Sequence, residues 1–140
     1  MRSHLGGGGN DLISGDKGID FLWGVEIDPS FPNPGLGEQD TLIGGSEADD
    51  FVLGDELQSY YIGSGDLDFA LITDFQPSED AIDVSGADAV IFSGFTFGDL
   101  GVGVGIWSQT NDLIAFVQGI NATDLIADFN LFRIGFMEAN

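Results

Sequence analysis

Apolar residues occur along this chain in short runs, separated by glycine, aspartate and other turn-forming residues. The later runs are 89–92, 103–107, 113–117 and 131–134. They are rich in β-branched and aromatic residues, as is typical of β-strands bounded by turns, and Thr110-Asn111-Asp112 has the composition of a hairpin turn. A single helical turn is predicted over 122–128, and no long segment has a helical period. The pattern predicts an all-β protein.

In the first half, the apolar positions follow a nine-residue repeat. Two units stand end to end, 6–14 (GGGGNDLIS) and 15–23 (GDKGIDFLW), with glycine at positions one and four, aspartate at six and a large aliphatic residue at eight. Less regular units follow at 35–43 (GLGEQDTLI), 44–52 (GGSEADDFV) and 63–71 (GSGDLDFAL). We expect the residues at position eight to face the core; these are Ile13, Leu22, Leu42, Phe51 and Ala70.

Two insertions interrupt the repeat, at 24–34 and at 53–62. The first contains Pro29, Pro32 and Pro34, which cannot sit in a sheet interior, so it is predicted to be a loop. A repeat of this period indicates a coil in which successive units stack and share a core. We therefore expect both insertions to loop out of the stack.

The repeat unit has the chemistry of a calcium site. Glycines allow tight turns that direct backbone carbonyls towards one point, and the aspartate at position six adds a charged oxygen. Calcium takes roughly six to eight such oxygens in flexible geometry. The units 6–14 and 15–23 repeat glycine, aspartate and an apolar residue at the same positions. This regularity disfavours the alternative that the segment is a flexible glycine-rich linker. A phosphate-binding turn is disfavoured by the surrounding carboxylates.

The pattern G-G-x-G-x-D-x-U-x resembles the hemolysin-type, or repeats-in-toxin (RTX), calcium-binding repeat. This resemblance implies a short parallel β-roll with two loop insertions, capped by C-terminal antiparallel strands. It also implies calcium ions between units n and n+2, which would stack Asp11, Asp40 and Asp68 on one side and Asp20 and Asp49 on the other. The resemblance therefore implies about three bound calcium ions, or more. The metal-site residues expected on this basis are Gly6, Gly8, Asp11, Gly15, Lys17, Asp20, Asp40, Gly44, Ser46, Asp49 and Asp68.

The sequence departs from the family pattern at some positions: Leu36 and Glu38 replace glycines, and Asp66 stands at position four of its unit. Residues 72–84 resemble the stretch that closes such rolls. The expected organisation is a remnant or truncated start at 1–5, a calcium-binding roll at 6–84 and a β cap at 85–140 in the same folding unit. We expect Asp74, Asp80 and Asp83 to be turn or cap residues rather than ligands.

The composition limits the classes of molecule that this chain could bind. The 140 residues carry 24 acidic and three basic side chains, for a formal charge of −21, yet 43% of the residues are hydrophobic. The chain is therefore predicted to be one foldable domain that needs bound cations. Nucleic acid and anionic membranes are disfavoured as partners because both need basic patches. No apolar stretch is long enough to span a bilayer, which takes about 18 residues.

The function expected from these features is calcium-driven folding, in the C-terminal part of a larger bacterial protein exported through a one-step channel to the cell surface or medium. Its partners would be calcium and either the secretion machinery or a cell-surface polymer. An adhesive or carbohydrate-binding module is the alternative, with Trp23, Tyr60, Tyr61 or Trp107 as stacking residues. No enzyme activity is expected, because the single histidine, His4, and the absence of cysteine leave no activated nucleophile.

Overall fold

The computed structural model describes residues 2–25, 33–55, 58–77, 79–85, 90–121 and 132–134, and every structural statement below refers to these. Within them the protein is all-β: it has eleven strands, one short 3₁₀ turn at Gly98–Leu100 and no α-helix. The strands are β1 (Arg2–Leu5), β2 (Leu12–Ser14), β3 (Asp20–Trp23), β4 (Gln39–Ile43), β5 (Asp50–Val52), β6 (Phe69–Ile72), β7 (Ala81–Val84), β8 (Ile91–Thr96), β9 (Val102–Trp107), β10 (Leu113–Gln118) and β11 (Phe132–Ile134).

The strands form two sheets. Sheet A has the order β1-β3-β5-β7-β11, and sheet B has the order β2-β4-β6-β10-β9-β8. From β1 to β7 the chain alternates between the sheets, so each strand pairs in parallel with the strand two further along. Parallel partners need a crossover connection, and here the crossover is a strand of the other sheet with its two turns.

The main core combines apolar residues from both sheets. The five residues at repeat position eight are all buried, and Ile13 is the most exposed of them at 8%. Register explains this burial, because Ile13 stands opposite Leu42 in sheet B and Leu22 stands opposite Phe51 in sheet A. The expectation that position eight faces the core is confirmed.

Of the C-terminal strands, β8, β9 and β10 extend sheet B, whereas β11 extends sheet A by pairing in parallel with β7. β8 pairs with β9 and β9 with β10 in antiparallel fashion, while β10 also pairs in parallel with β6. The predicted hairpin turn is present between β9 and β10, where Asn111 adopts a left-handed backbone with φ of 66°. The helical turn predicted over 122–128 lies outside the described residues.

Two details differ from the sequence-based expectation, and one strand was not predicted. Ile72, not Ala70, stands opposite Leu42, and Ala70 stands opposite Asp40. Arg2–Leu5, within the remnant or truncated start expected at 1–5, pairs with β3. The turn that leads to Asp40 begins at Gly24, earlier in the chain than the expected Gly35.

Candidate metal centre

The turns before β2, β3 and β5 share one backbone conformation. Their second and fourth residues have positive φ: Gly7 and Gly9 in the first turn, Asp16 and Gly18 in the second, and Gly45 and Glu47 in the third of these. Left-handed backbone is readily adopted by glycine and is strained for Asp16 and Glu47. The aspartate at position six follows two residues after the second left-handed residue, so each turn delivers a carboxylate to the same place.

Along one side of the stack, successive turns are joined through their aspartates. The backbone N–H of Asp20 donates to Asp49 Oδ1 at 2.9 Å, and the N–H of Asp49 donates to Asp80 Oδ1, also at 2.9 Å. All three side chains are fully buried. We call Asp20, Asp49 and Asp80 the Asp20 row.

The opposite side carries a second row. The N–H of Asp11 donates to Asp40 Oδ1 at 2.7 Å, and the N–H of Gly37 donates to Asp68 Oδ2 at 3.0 Å. We call Asp11, Asp40 and Asp68 the Asp11 row. Asp20 meets Asp49 and Asp11 meets Asp40, as the repeat pattern predicts. Asp68 instead accepts from Gly37 and does not stand opposite Asp40, whose partner in register is Ala70.

Several carboxylate oxygens in these rows are buried without a hydrogen-bond partner: Asp11 Oδ2, Asp49 Oδ2 and Asp68 Oδ1. Two of them point at the first glycine of their own turn. A Cβ atom placed on Gly6 would lie 2.8 Å from Asp11 Oδ2 and 2.9 Å from the carbonyl oxygen of Gly24, and one on Gly44 would lie 2.8 Å from Asp49 Oδ2. A side chain at either glycine would therefore collide with the carboxylate oxygen of its own turn.

The same residues fit a hard divalent cation. A buried anionic oxygen without a donor is costly unless a positive charge compensates it. The donors beside the first glycines are carboxylate and carbonyl oxygens, which calcium prefers. In the described part of the chain, no three His, Asp or Glu side chains form a metal cluster, so backbone carbonyls would have to complete any site.

Burial and mutual repulsion perturb the carboxylates. Burial, followed by the charges of Asp80, Asp20 and Asp74, raises the pKa of Asp49 to about 7 against the N–H bond that it accepts. Burial also raises the pKa of Asp40 to about 6, although two hydrogen bonds oppose the change. Both shifts show how poorly these sites tolerate negative charge when no cation is present.

The remaining predicted site residues lie around these rows. Gly15 resembles Gly6, because a Cβ there would lie 2.8 Å from Asp20 Oδ2 and 2.9 Å from the Gly44 carbonyl oxygen. The residues at position three occupy exposed turn tips; these are Gly8, Lys17 and Ser46. The Ser46 N–H donates to the Asp16 carbonyl at 3.0 Å, and this hydrogen bond connects the tips of the two turns.

Two residues join the turns in ways that the repeat pattern did not include. Asp80 occupies position six of a further unit, and the signal was present: it precedes Ile82 by two residues, as Asp49 precedes Phe51. Asp74 accepts the N–H groups of Gly44 and Gly45, both at 2.9 Å. Turn-capping roles were expected for Asp74 and Asp80, and these hydrogen bonds agree with that expectation.

The third turn has a different arrangement. A Cβ atom on Gly24 would lie 2.6 Å from Asp40 Oδ2, so Gly24, rather than Gly35, holds the place of the first glycine. The first insertion therefore lies inside this unit and not before it. Asp40 Oδ2 also accepts a hydrogen bond from the Tyr61 hydroxyl at 2.8 Å.

No protein-family model matches the chain, and no curated protein matches it. Its resemblance to the hemolysin-type repeat rests on the residues quoted above. In the part of the chain that the structure describes, no helix is long and apolar enough to cross a membrane.

Proposed function

We propose that this chain is a calcium-binding parallel β-roll of the hemolysin type, and that calcium drives its folding. The observation that carries the proposal is the set of buried carboxylate oxygens without donors, Asp11 Oδ2, Asp49 Oδ2 and Asp68 Oδ1. Two of them line the space beside a first glycine of the repeat. A cation there would compensate the charge and bind the carbonyl oxygens of the adjoining turn.

Calcium suits these turns better than other biological cations. The donors are oxygens, and the chain has no cysteine that would favour zinc. Magnesium demands near-octahedral geometry and retains several waters, whereas calcium accepts many protein oxygens in irregular geometry. Asp11, Asp49 and Asp68 supply such oxygens.

Calcium binding is coupled to folding in this proposal because the strands are short and the aspartates within each row repel one another. A net charge of −21 opposes compaction, and the strands of the roll have only three to five residues. Binding to the folded state alone converts binding free energy into folding free energy. Such a chain is loose at low cytoplasmic calcium and ordered outside the cell, which suits the C-terminal part of a larger exported bacterial protein.

Calcium titration calorimetry on single variants tests the assignment. Asp11→Asn and Asp49→Asn each remove a charge, and the asparagine at position 49 keeps an oxygen that can accept the Asp20 N–H. Each variant is expected to lose calcium ions from the stoichiometry or to weaken affinity by at least about tenfold. Asp99→Asn, at an exposed position in the 3₁₀ turn, is the matched control and should behave as the wild type. Magnesium should give no comparable binding. Wild-type affinity in both variants would contradict the proposal.

An adhesive or carbohydrate-binding role is the second candidate, favoured by one feature of sheet B. Phe95, Phe97 and Trp107 are only partly buried and belong to an apolar cluster separate from the main core. The Phe95 ring centroid lies 5.3 Å from that of Phe97 and 5.5 Å from that of Trp107. Aromatic faces of this kind stack on sugars, whereas Trp23, Tyr60 and Tyr61 are buried and form no such face.

Glycan-array binding with calcium and with chelator tests this second role. Calcium-dependent binding that Trp107→Ala abolishes, with calcium affinity unchanged, would support it. A negative array, or binding that Trp107→Ala leaves intact, would count against it.

A further inference from the structure

Tyr61 occupies an unusual place in the stack. Its side chain is fully buried, and its hydroxyl donates to Asp40 Oδ2 at 2.8 Å. It belongs to the second insertion, but its N–H donates to the Pro34 carbonyl of the first insertion at 2.9 Å. Its φ of 60° is strained for a bulky residue, so surrounding contacts must hold it there. Both insertions thus serve to place this hydroxyl in the third turn.

The Tyr61 hydroxyl bonds the kind of carboxylate oxygen that has no partner in two other turns. Beside Gly6 and Gly44, the first glycine faces the Oδ2 atom of its aspartate, Asp11 or Asp49, which has no hydrogen-bond partner. Beside Gly24, a Cβ atom would meet both Asp40 Oδ2 and the Tyr61 hydroxyl oxygen. The third turn therefore has the same glycine and carboxylate as these turns, but its carboxylate oxygen is bonded to a tyrosine hydroxyl.

We infer that the Tyr61 hydroxyl takes the place of a calcium ion in this turn, so that Asp40 binds no metal. The inference rests on the proposed calcium function and refines it. With one oxygen bonded to the Asp11 N–H and the other to Tyr61, both Asp40 oxygens are satisfied by the protein. A neutral donor that is part of the fold stabilises this turn at any calcium concentration.

This arrangement changes the expected distribution of ions. Pairing aspartates by repeat number alone would use Asp40 in two sites, one with Asp11 and one with Asp68. With Tyr61 in place, calcium binds through Asp11 and the Gly24 carbonyl, through Asp68, and through Asp49 of the Asp20 row. The turn that contains Asp40 is therefore stable without calcium, whereas the turns of Asp11, Asp49 and Asp68 need calcium.

Calcium stoichiometry of three variants, measured by calorimetry and by flow dialysis, tests the inference. Asp40→Asn should bind as many ions as the wild type, whereas Asp49→Asn should bind fewer. Tyr61→Phe frees Asp40 Oδ2 and the space beside Gly24, so it should bind one additional ion. A Tyr61→Phe stoichiometry equal to that of the wild type would overturn the inference, as would loss of an ion in Asp40→Asn.

The outcomes separate this inference from the proposed function. If the wild type binds calcium and Asp40→Asn loses an ion, only the role of Tyr61 is wrong. If the wild type binds no calcium, the proposed function itself fails. Should Tyr61→Phe not fold in calcium, Asp40→Asn alone decides the matter, because the asparagine retains an acceptor for the Asp11 N–H and a partner for the tyrosine hydroxyl.

Discussion

Acid should fold the calcium-free protein, because protons can neutralise the buried carboxylates to which we assign calcium. In the fold, the pKa of Asp49 is raised to about 7 and that of Asp40 to about 6, against 3.8 as the ordinary value. Between pH 3.8 and these values the folded chain binds more protons than the unfolded chain. The free energy of unfolding therefore rises as pH falls, and this stabilisation is lost as pH rises through the raised pKa values.

The magnitude follows from the two shifts. One pKa unit corresponds to about 1.4 kcal/mol, so the upper limits between pH 8 and pH 4 are about 4 kcal/mol for Asp49 and about 3 kcal/mol for Asp40. Solvent screening at the turns leaves about half of that total, roughly 3 kcal/mol. A change of this size shifts the ratio of folded to unfolded chain by roughly a hundredfold.

Far-UV circular dichroism and tryptophan fluorescence in chelator, from pH 8 to pH 4, measure this change. Asp49→Asn has no charge at this position, so it should be more folded than the wild type at pH 8 and less dependent on pH. Asp99→Asn removes a charge from an exposed position and should retain the wild-type profile. Loss of β-structure on acidification, or identical profiles for the two variants, would refute the assignment of the effect to the buried rows.

Three further predictions concern the turns. Gly15→Ala places a methyl group 2.8 Å from Asp20 Oδ2 and 2.9 Å from the Gly44 carbonyl, so calcium affinity in calorimetry should fall at least about tenfold. Gly94→Ala is the control: its Cβ would lie 3.8 Å from the nearest atom, so this variant should bind calcium like the wild type. Equal calcium affinities for Gly15→Ala and Gly94→Ala would contradict a site beside Gly15. Asp74→Ala removes two hydrogen bonds and should cost the calcium-loaded protein about 2 kcal/mol in urea unfolding, whereas Asp99→Ala should cost nothing measurable. Calcium binding in weakly buffered solution should release protons, and a pH electrode that detects none would contradict the raised pKa values.

The nine-residue repeat predicts the regular part of the fold well. Apolar residues at position eight and glycines at position one place strand, turn and carboxylate in sequence, because each unit uses only local chemistry. Leu22 and Phe51 are buried and adjacent in register as the repeat requires. Asp20 likewise meets Asp49, and Asp11 meets Asp40, since stacking identical units aligns identical positions.

The sequence predicts the irregular part less well, because long-range packing decides it. The register of β6 depends on which of Ala70 and Ile72 packs beside Leu42, and both are buried. Gly24 and Asp40 belong to one turn although an insertion separates them, and no local pattern marks that relation. The contact between Tyr61 and Asp40 joins two insertions and becomes visible only in the folded stack.

Calcium-driven folding is tested most directly by far-UV circular dichroism at neutral pH, on chelator-treated protein titrated with calcium and, separately, with magnesium. We expect a cooperative transition from coil to β-structure with calcium alone, with a midpoint of roughly 10⁻⁴–10⁻³ M, the range of extracellular calcium modules. A chain that is fully folded in chelator and unchanged by calcium would contradict the proposal, and the buried carboxylates would then be tolerated without a cation.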